Sequence, residues 1–365
     1  MPRLSSSVPR TMAALRGAAL VLLVGAGFAS IVASGTGGGR ARTPPTFALA
    51  WVDPSLSVRT AESRAAVTFI NDRVIPTASG QYGPAIGHDG NLTWLAVWAT
   101  VSGFNFNTGI GGIPSGGTPG GITWSTTIER GIVRGSPAGS PSVAFGGGRW
   151  VIAYRNAGNR IEVIRSGPNS LGAWEPPRVV TPPLTTVISS NDPSIAYGNG
   201  RFVLVYRTEY NDTQVPLAQN SIVAVQSVDG VNWSDRSVIG ATEGYAPGLT
   251  FGAGKFIAIL TRLPPALSGM RFIAHLSDDG QSWTGAAGEG GNFDPITSFS
   301  RPGVAYGQGQ LVVVQGEGTL RSWTGTPNNP ASPSSFTFLP VPPLGSVVVP
   351  AAQGRSASIA FGGTP

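Results

Sequence analysis

The sequence predicts an all-β protein folded as a six-bladed β-propeller of four-stranded blades. Three observations carry this reading. Composition is the first: the chain has 52 glycines, 31 prolines and 12% charged residues among 365. Short Val/Ile/Phe/Tyr/Trp runs alternate with turn residues, and no strong helical pattern follows residue 40. A repeat is the second. "GPAIGHDGNLTWLAVWAT", "SPSVAFGGGRWVIAYR", "DPSIAYGNGRFVLVYR", "APGLTFGAGKFIAILTR" and "RPGVAYGQGQLVVVQGE" share a proline, alternating apolar residues, an aromatic position, a turn and a second apolar run. Their prolines (Pro84, Pro141, Pro193, Pro247, Pro302), with Ala357 in the short last copy "SASIAFGGTP", stand 52 to 57 residues apart. Four strands in about 50 residues is the period of a propeller blade. The third observation is at the ends. The last copy stops after one strand, while "TFALAWV" from Thr46 and "RAAVTFIND" from Arg64 are strands that lack a first strand. Joined in space they complete one composite blade and remove the open edges of the ring.

Each copy reads as two strands joined by a tight hairpin. The turns "GGG", "GNG", "GAG" and "GQG" supply glycine where φ must be positive. Proline opens the first strand, where its missing N–H costs least. A third run follows a variable loop, as in "SIVAVQS" or "RFIAHLS", and a fourth strand follows a turn.

Residues 1–34 read as an export signal. Arg3, Arg10 and Arg16 precede an apolar stretch from Gly17 to Ala33, and Val32 and Ser34 suit a cleavage site. An uncleaved anchor is the alternative, and only then is a membrane association expected. Residues 35–45 form a Gly/Arg/Pro linker, and residues 46–365 the propeller. The expected location is secreted or at the cell surface. There is no cysteine, and a chain of this length buries enough surface without disulfides. The net charge of +6 comes mostly from Arg3, Arg10, Arg16, Arg40 and Arg42, without which 19 basic residues face 18 acidic ones. The folded part is near neutral, so no nucleic-acid partner is expected.

The turn before the fourth strand has a signature, Ser-x-Asp-Gly-x-x-Trp. It comprises Ser227, Asp229, Gly230 and Trp233 in "SVDGVNW", and Ser277, Asp279, Gly280 and Trp283 in "SDDGQSW". The aspartate can accept backbone N–H groups and the tryptophan can pack between blades, which makes the turn a staple. Trp124 and Trp174 close worn copies that lack the aspartate in place. A calcium site needs more oxygen ligands than one Asp supplies. The turn resembles the Asp box of sialidase-like (bacterial neuraminidase repeat) propellers, and is one residue shorter between Asp and Gly. The resemblance covers roughly residues 46–363. It implies propeller architecture and a carbohydrate ligand.

Strand direction places the proline ends of the first strands and the ends of the second strands on one face, here the proline face. The Asp-Gly turns lie on the opposite, hairpin face. Arg155, Arg207 and Arg262 end second strands, and Arg301 opens the next blade. They are candidate ligands for a carboxylate or sulfate; the alternative is that each pairs locally, for instance with Asp192 or Glu209. The resemblance implies an arginine triad of this kind and a tyrosine nucleophile with a carboxylate. Tyr245 with Glu243 and Tyr210 with Glu209, expected on loops of the proline face, are the candidates. The Phe/Tyr-Arg-Ile-Pro motif of sialidases is absent from the start of the chain. "NDPSIAYGNGRFVLVY" looks like the Asp-Pro-Ser strand of arabinanase-type hydrolases and makes Asp192 a candidate base, although sister copies hold Ser140, Ala246 and Arg301 there. His88 and His275 are in separate repeats, so no metal site and no cofactor is expected.

The expected function is an exported propeller, acting as a monomer, that binds glycans or another extracellular polymer on the arginine-bearing face. Two alternatives stand beside it: a glycoside hydrolase for acidic sugars, and a non-catalytic surface scaffold for a protein partner.

Overall fold

The computed structural model describes residues 46–63, 69–80, 82–100, 103–111, 122–125, 129–132, 137–180, 187–210, 220–241, 244–262, 271–285, 301–315, 320–328, 336–340 and 357–362. The export-signal and linker expectations, and Glu243, lie outside these residues. All the regular structure described is β.

The strands, in chain order, fall into six sheets. The described residues begin with β1 (Thr46–Val52), β2 (Ser57–Ser63) and β3 (Ile70–Ser79). Blade I holds β4 (Ala85–His88), β5 (Thr93–Thr100), β6 (Gly103–Gly111) and β7 (Ile122–Trp124), with β8 (Glu129–Ile132) also pairing with β6. Blade II holds β9 (Ser142–Gly146), β10 (Arg149–Arg155), β11 (Ile161–Arg165) and β12 (Arg178–Val179). Blade III holds β13 (Val187–Gly198), β14 (Arg201–Tyr210), β15 (Asn220–Ser227) and β16 (Ser237–Ala241). Blade IV holds β17 (Gly244–Gly252), β18 (Lys255–Arg262), β19 (Arg271–Ser277) and β20 (Thr284–Gly285). Blade V holds β21 (Gly303–Gly307), β22 (Gln310–Gln315), β23 (Arg321–Pro327) and β24 (Phe336–Pro340). The last strand, β25 (Ser358–Gly362), pairs antiparallel with β1 and completes blade VI in the order β25-β1-β2-β3. The protein is therefore a six-bladed propeller closed by its two ends.

One strand differs from expectation. The sequence points to Arg64–Asp72 as the strand after β1, but β2 occupies Ser57–Ser63 and β3 begins at Ile70. The string "SVRTAES" hides its burial because its polar residues have partners. Glu62, 7% exposed, accepts the backbone N–H of Ile122 in blade I at 2.8 Å.

The core lies between blades. Ile152 and Tyr154 of blade II pack with Leu95 and Val97 of blade I. Equivalent clusters fill the joints II/III, III/IV, IV/V, V/VI and VI/I.

Three local devices set blade geometry. The first/second-strand hairpins of blades II to V have two-residue turns with positive φ at both positions: Gly147–Gly148 at 56° and 73°, Asn199–Gly200 at 47° and 75°, Ala253–Gly254 at 49° and 75°, Gln308–Gly309 at 52° and 73°. This is the type I′ turn, whose twist matches that of the strands. In blades III to VI the aromatic of the first strand covers the glycine that closes the previous blade's first strand. A Cβ on Gly146, Gly198, Gly252 or Gly307 would come within 2.0 to 2.3 Å of the ring of Tyr197, Phe251, Tyr306 or Phe361. Finally, a serine after the proline caps the next blade. Ser142 Oγ accepts from Ile195 N at 3.1 Å, Ser194 Oγ from Leu249 N at 2.9 Å, and Ser358 Oγ from Ile86 N at 3.2 Å. These N–H groups are on the inner edge of the ring, with no strand to bond.

Candidate functional site

The Ser-x-Asp-Gly-x-x-Trp turns are on the hairpin face. Asp229 Oδ1 accepts from Val231 N and Asn232 N, each at 2.8 Å, and from Ser227 Oγ at 2.9 Å. Asp279 is held in the same way by Gln281 N, Ser282 N and Ser277 Oγ. Desolvation pushes both carboxyls up, but these hydrogen bonds outweigh it, leaving Asp279 at about 2 and Asp229 well below the usual range. Gly230 and Gly280 have φ of 75° and 77°. A Cβ on Gly280 would lie 2.2 Å from Val203 of the previous blade. Arg165 of blade II donates to the carbonyl of Asp229 at 2.7 Å. Trp233 packs on the core between blades II and III, and Trp283 between III and IV. The aspartate and serine brace the turn from within, while the glycine, the Asp229 carbonyl and the tryptophan join neighbouring blades.

The proline face holds the charged cluster. Arg155, at the end of β10, donates through Nε and Nη2 to the carbonyl of Ala138, the Nε contact at 3.2 Å. Its Nη1 donates to Asn191 Oδ1 of blade III at 2.6 Å. Arg207 stands opposite Asn191 in the β13/β14 ladder. Arg301, 4% exposed, donates to the carbonyls of Ser140 at 3.4 Å, Pro141 at 2.7 Å and Pro193. Blade V thus reaches blades II and III across the centre of the ring. Arg155, Arg207 and Arg301 are brought to one short segment, Asn191–Asp192–Pro193. Arg262 pairs with Gly244 and Arg271 in the ladders of blade IV.

That segment is irregular. The β13/β14 register shifts between Asn191 and Ser194, and Asp192 has φ of 54°. A positive φ directly before proline departs from the usual extended backbone, and Asp is among the side chains that tolerate it. Ser140, Ala246 and Arg301, at the equivalent position of other blades, do not share it. Strain of this sort costs about 1–3 kcal/mol and clusters at functional sites.

The other candidates are placed differently from expectation. Glu209 and Tyr210 are in β14 and Tyr245 in β17, not on loops. These strands run on past their bulges at the proline face, and the sequence conceals this because the bulge interrupts the alternation. A tyrosine–carboxylate pair that sequence reasoning missed is Tyr154 with Glu162. The tyrosine hydroxyl donates to Glu162 Oε2 at 2.5 Å, and Asn156 Nδ2 donates to Oε1 at 2.7 Å. Burial, then the glutamate, push the Tyr154 hydroxyl far above its usual range, so it acts as a donor and packs in the I/II core. The only signal for it was adjacency across a hairpin. Among the described residues no three of His, Asp and Glu gather as a metal site.

Neither a protein-family model nor a curated protein matches the sequence. Solved structures similar to it include glycoside hydrolases, a sialidase and the TolB protein of Acinetobacter baumannii. They include the α-L-arabinofuranosidase of Fusarium graminearum, with 17% identity over 75% of this chain and 82% of that one (TM-score 0.46). A family 117 glycoside hydrolase of Zobellia galactanivorans shares 10% identity over 55% and 68% (TM-score 0.40). A Trypanosoma rangeli sialidase mutant shares 12% over 59% and 38% (TM-score 0.41). These likenesses concern the fold.

Proposed function

We propose that this is an exported glycan-binding protein whose site is the proline face around Asn191–Asp192–Pro193. The observation that carries it is the bulged, left-handed Asp192, set among Arg155, Arg207 and Arg301. The Asp192 carboxylate, the Asn191 amide and the Arg155 and Arg207 guanidinium groups gathered at this segment offer the paired acceptors and donors that neighbouring sugar hydroxyls take. Export rests on the arginine-led apolar stretch of residues 1–34.

A glycan array probed with the full chain tests this, with soluble product measured in the same wells. Asp192→Asn keeps the shape of the segment and removes its charge. Retention of a defined glycan set, weakened about tenfold or more by Asp192→Asn, supports the reading, since a charged hydrogen bond is worth about 1.5–3 kcal/mol. Product release that Asp192→Asn abolishes identifies a hydrolase using the same site. No retained glycan, or retention indifferent to Asp192→Asn and Arg207→Ala, overturns the reading.

A further inference from the structure

The first strands of the blades surround a cavity of about 180 Å³ that runs from Arg301 and Pro302 at one end to His88, Phe145 and Tyr197 at the other. Among the described residues no Asp or Glu lines it, and its one full charge is the Arg301 guanidinium. Three carbonyls accept from that group, and all are neutral. A guanidinium carries five N–H donors, so acceptor capacity is still wanted. The one acidic group whose charge acts on it is Asp192. Burial pushes Arg301 down to about 10, and the charge of Asp192 offsets part of this. A buried charge whose hydrogen-bonded acceptors are all neutral is costly.

The neighbouring side chains also offer donors. Ser142 and Ser194 directly follow Pro141 and Pro193, two of the residues whose carbonyls hold Arg301. Each Oγ accepts a backbone N–H from the next blade. This leaves the hydroxyl hydrogen to be donated. Both serines line the cavity.

We propose that the proline end of the central channel is a binding site for one small monovalent anion, chloride or a short carboxylate such as formate. The guanidinium of Arg301 and the hydroxyls of Ser142 and Ser194 hold it, and its charge balances that of Arg301. The anion ties blade V to blades II and III through a shared ligand. The site lies in the channel; Arg301 also borders the segment proposed to bind glycans, but the anion titration can succeed or fail whatever the glycan array shows.

The full chain in gluconate buffer is titrated with chloride and with formate at constant ionic strength while the thermal midpoint is followed. A saturable rise is expected with either ion, and gluconate, too large for the cavity, should give none. Arg301→Gln should abolish the rise. Ser142→Ala with Ser194→Ala should weaken apparent affinity about tenfold and leave the fold intact, since Ala85, Gly248 and Gly303 stand at the same place in other blades. Bromide-soaked crystals of the unaltered protein give a readout that needs no variant, an anomalous peak against Arg301. Absence of that peak, a midpoint that does not saturate, or a rise unchanged by Arg301→Gln or by the serine pair overturns the proposal.

Discussion

At the scale of single residues, position in the repeat explains the exceptions. Ala253 holds the first, left-handed place of a type I′ turn at φ 49°, where blade III has Asn199 at 47°. Asn199 adds bonds from Nδ2 to the carbonyls of Gly254 and Asp278 at 3.1 and 3.0 Å. Left-handed backbone costs Ala about 1–2 kcal/mol and Asn less. Ala253→Asn is therefore expected to raise unfolding free energy by about 0.5–1 kcal/mol in urea titrations. His88 is the exception at the aromatic position that holds Phe145, Tyr197, Phe251, Tyr306 and Phe361 elsewhere. Its ring packs at a tilt against Trp94 with centroids 4.5 Å apart, and Nδ1 accepts from Gly90 N at 3.0 Å. Burial pushes it down to about 4, with Asp89 opposing. The unfolded chain then takes up this proton near pH 6.5, before the folded one does. Stability from this residue is complete above pH 6.5 and falls as pH drops towards 4. His88→Phe should flatten the dependence of the thermal midpoint across that window, and an unchanged slope would show that other groups set it.

The element that matters is the joint between neighbouring blades. Glycines at the ends of first strands were readable as turn residues, but Gly146, Gly198, Gly252 and Gly307 have a second cause. Their missing Cβ makes room for the next blade's aromatic ring. Gly252→Ala would put a Cβ 2.1 Å from the Tyr306 ring. Overpacking so tight should cost about 3 kcal/mol in chemical denaturation. Combined with Tyr306→Ala the two losses should sum to clearly less than their separate values, because the clash is then gone. Full additivity would place the damage elsewhere. The repeat was legible because every blade solves the same packing problem with the same string. The joint was not, because its two halves are about 55 residues apart and meet only when blades stack. The charged cluster divides in the same way. Its arginines could be picked out by position, whereas the bulge at Asp192 and the passage of Arg301 across the ring could not.

For the whole molecule, closure is the decisive feature. β25 supplies blade VI with its inner strand, seats Phe361 beside Phe47 at 4.9 Å and caps Ile86 through Ser358. Ending the chain at residue 356 removes all three contacts and bares the edge of β1. Such an edge invites pairing with other chains. The truncated protein should lose its cooperative thermal transition or aggregate, as followed by light scattering during melting. A sharp transition at the original temperature would show that the ring does not depend on its clasp. Six strings of one period, the last cut short, determined the blade count and the composite blade, because strand number and closure are properties of the pattern itself. The tertiary structure alone decided which charges meet. Arg301 and Pro193 are 108 residues apart in sequence and share a hydrogen bond in the middle of the ring. A periodic sequence specifies each blade against its neighbours, whereas the contacts across the centre join non-adjacent blades, V with III and II, and depend on Arg301, a residue the other copies do not share.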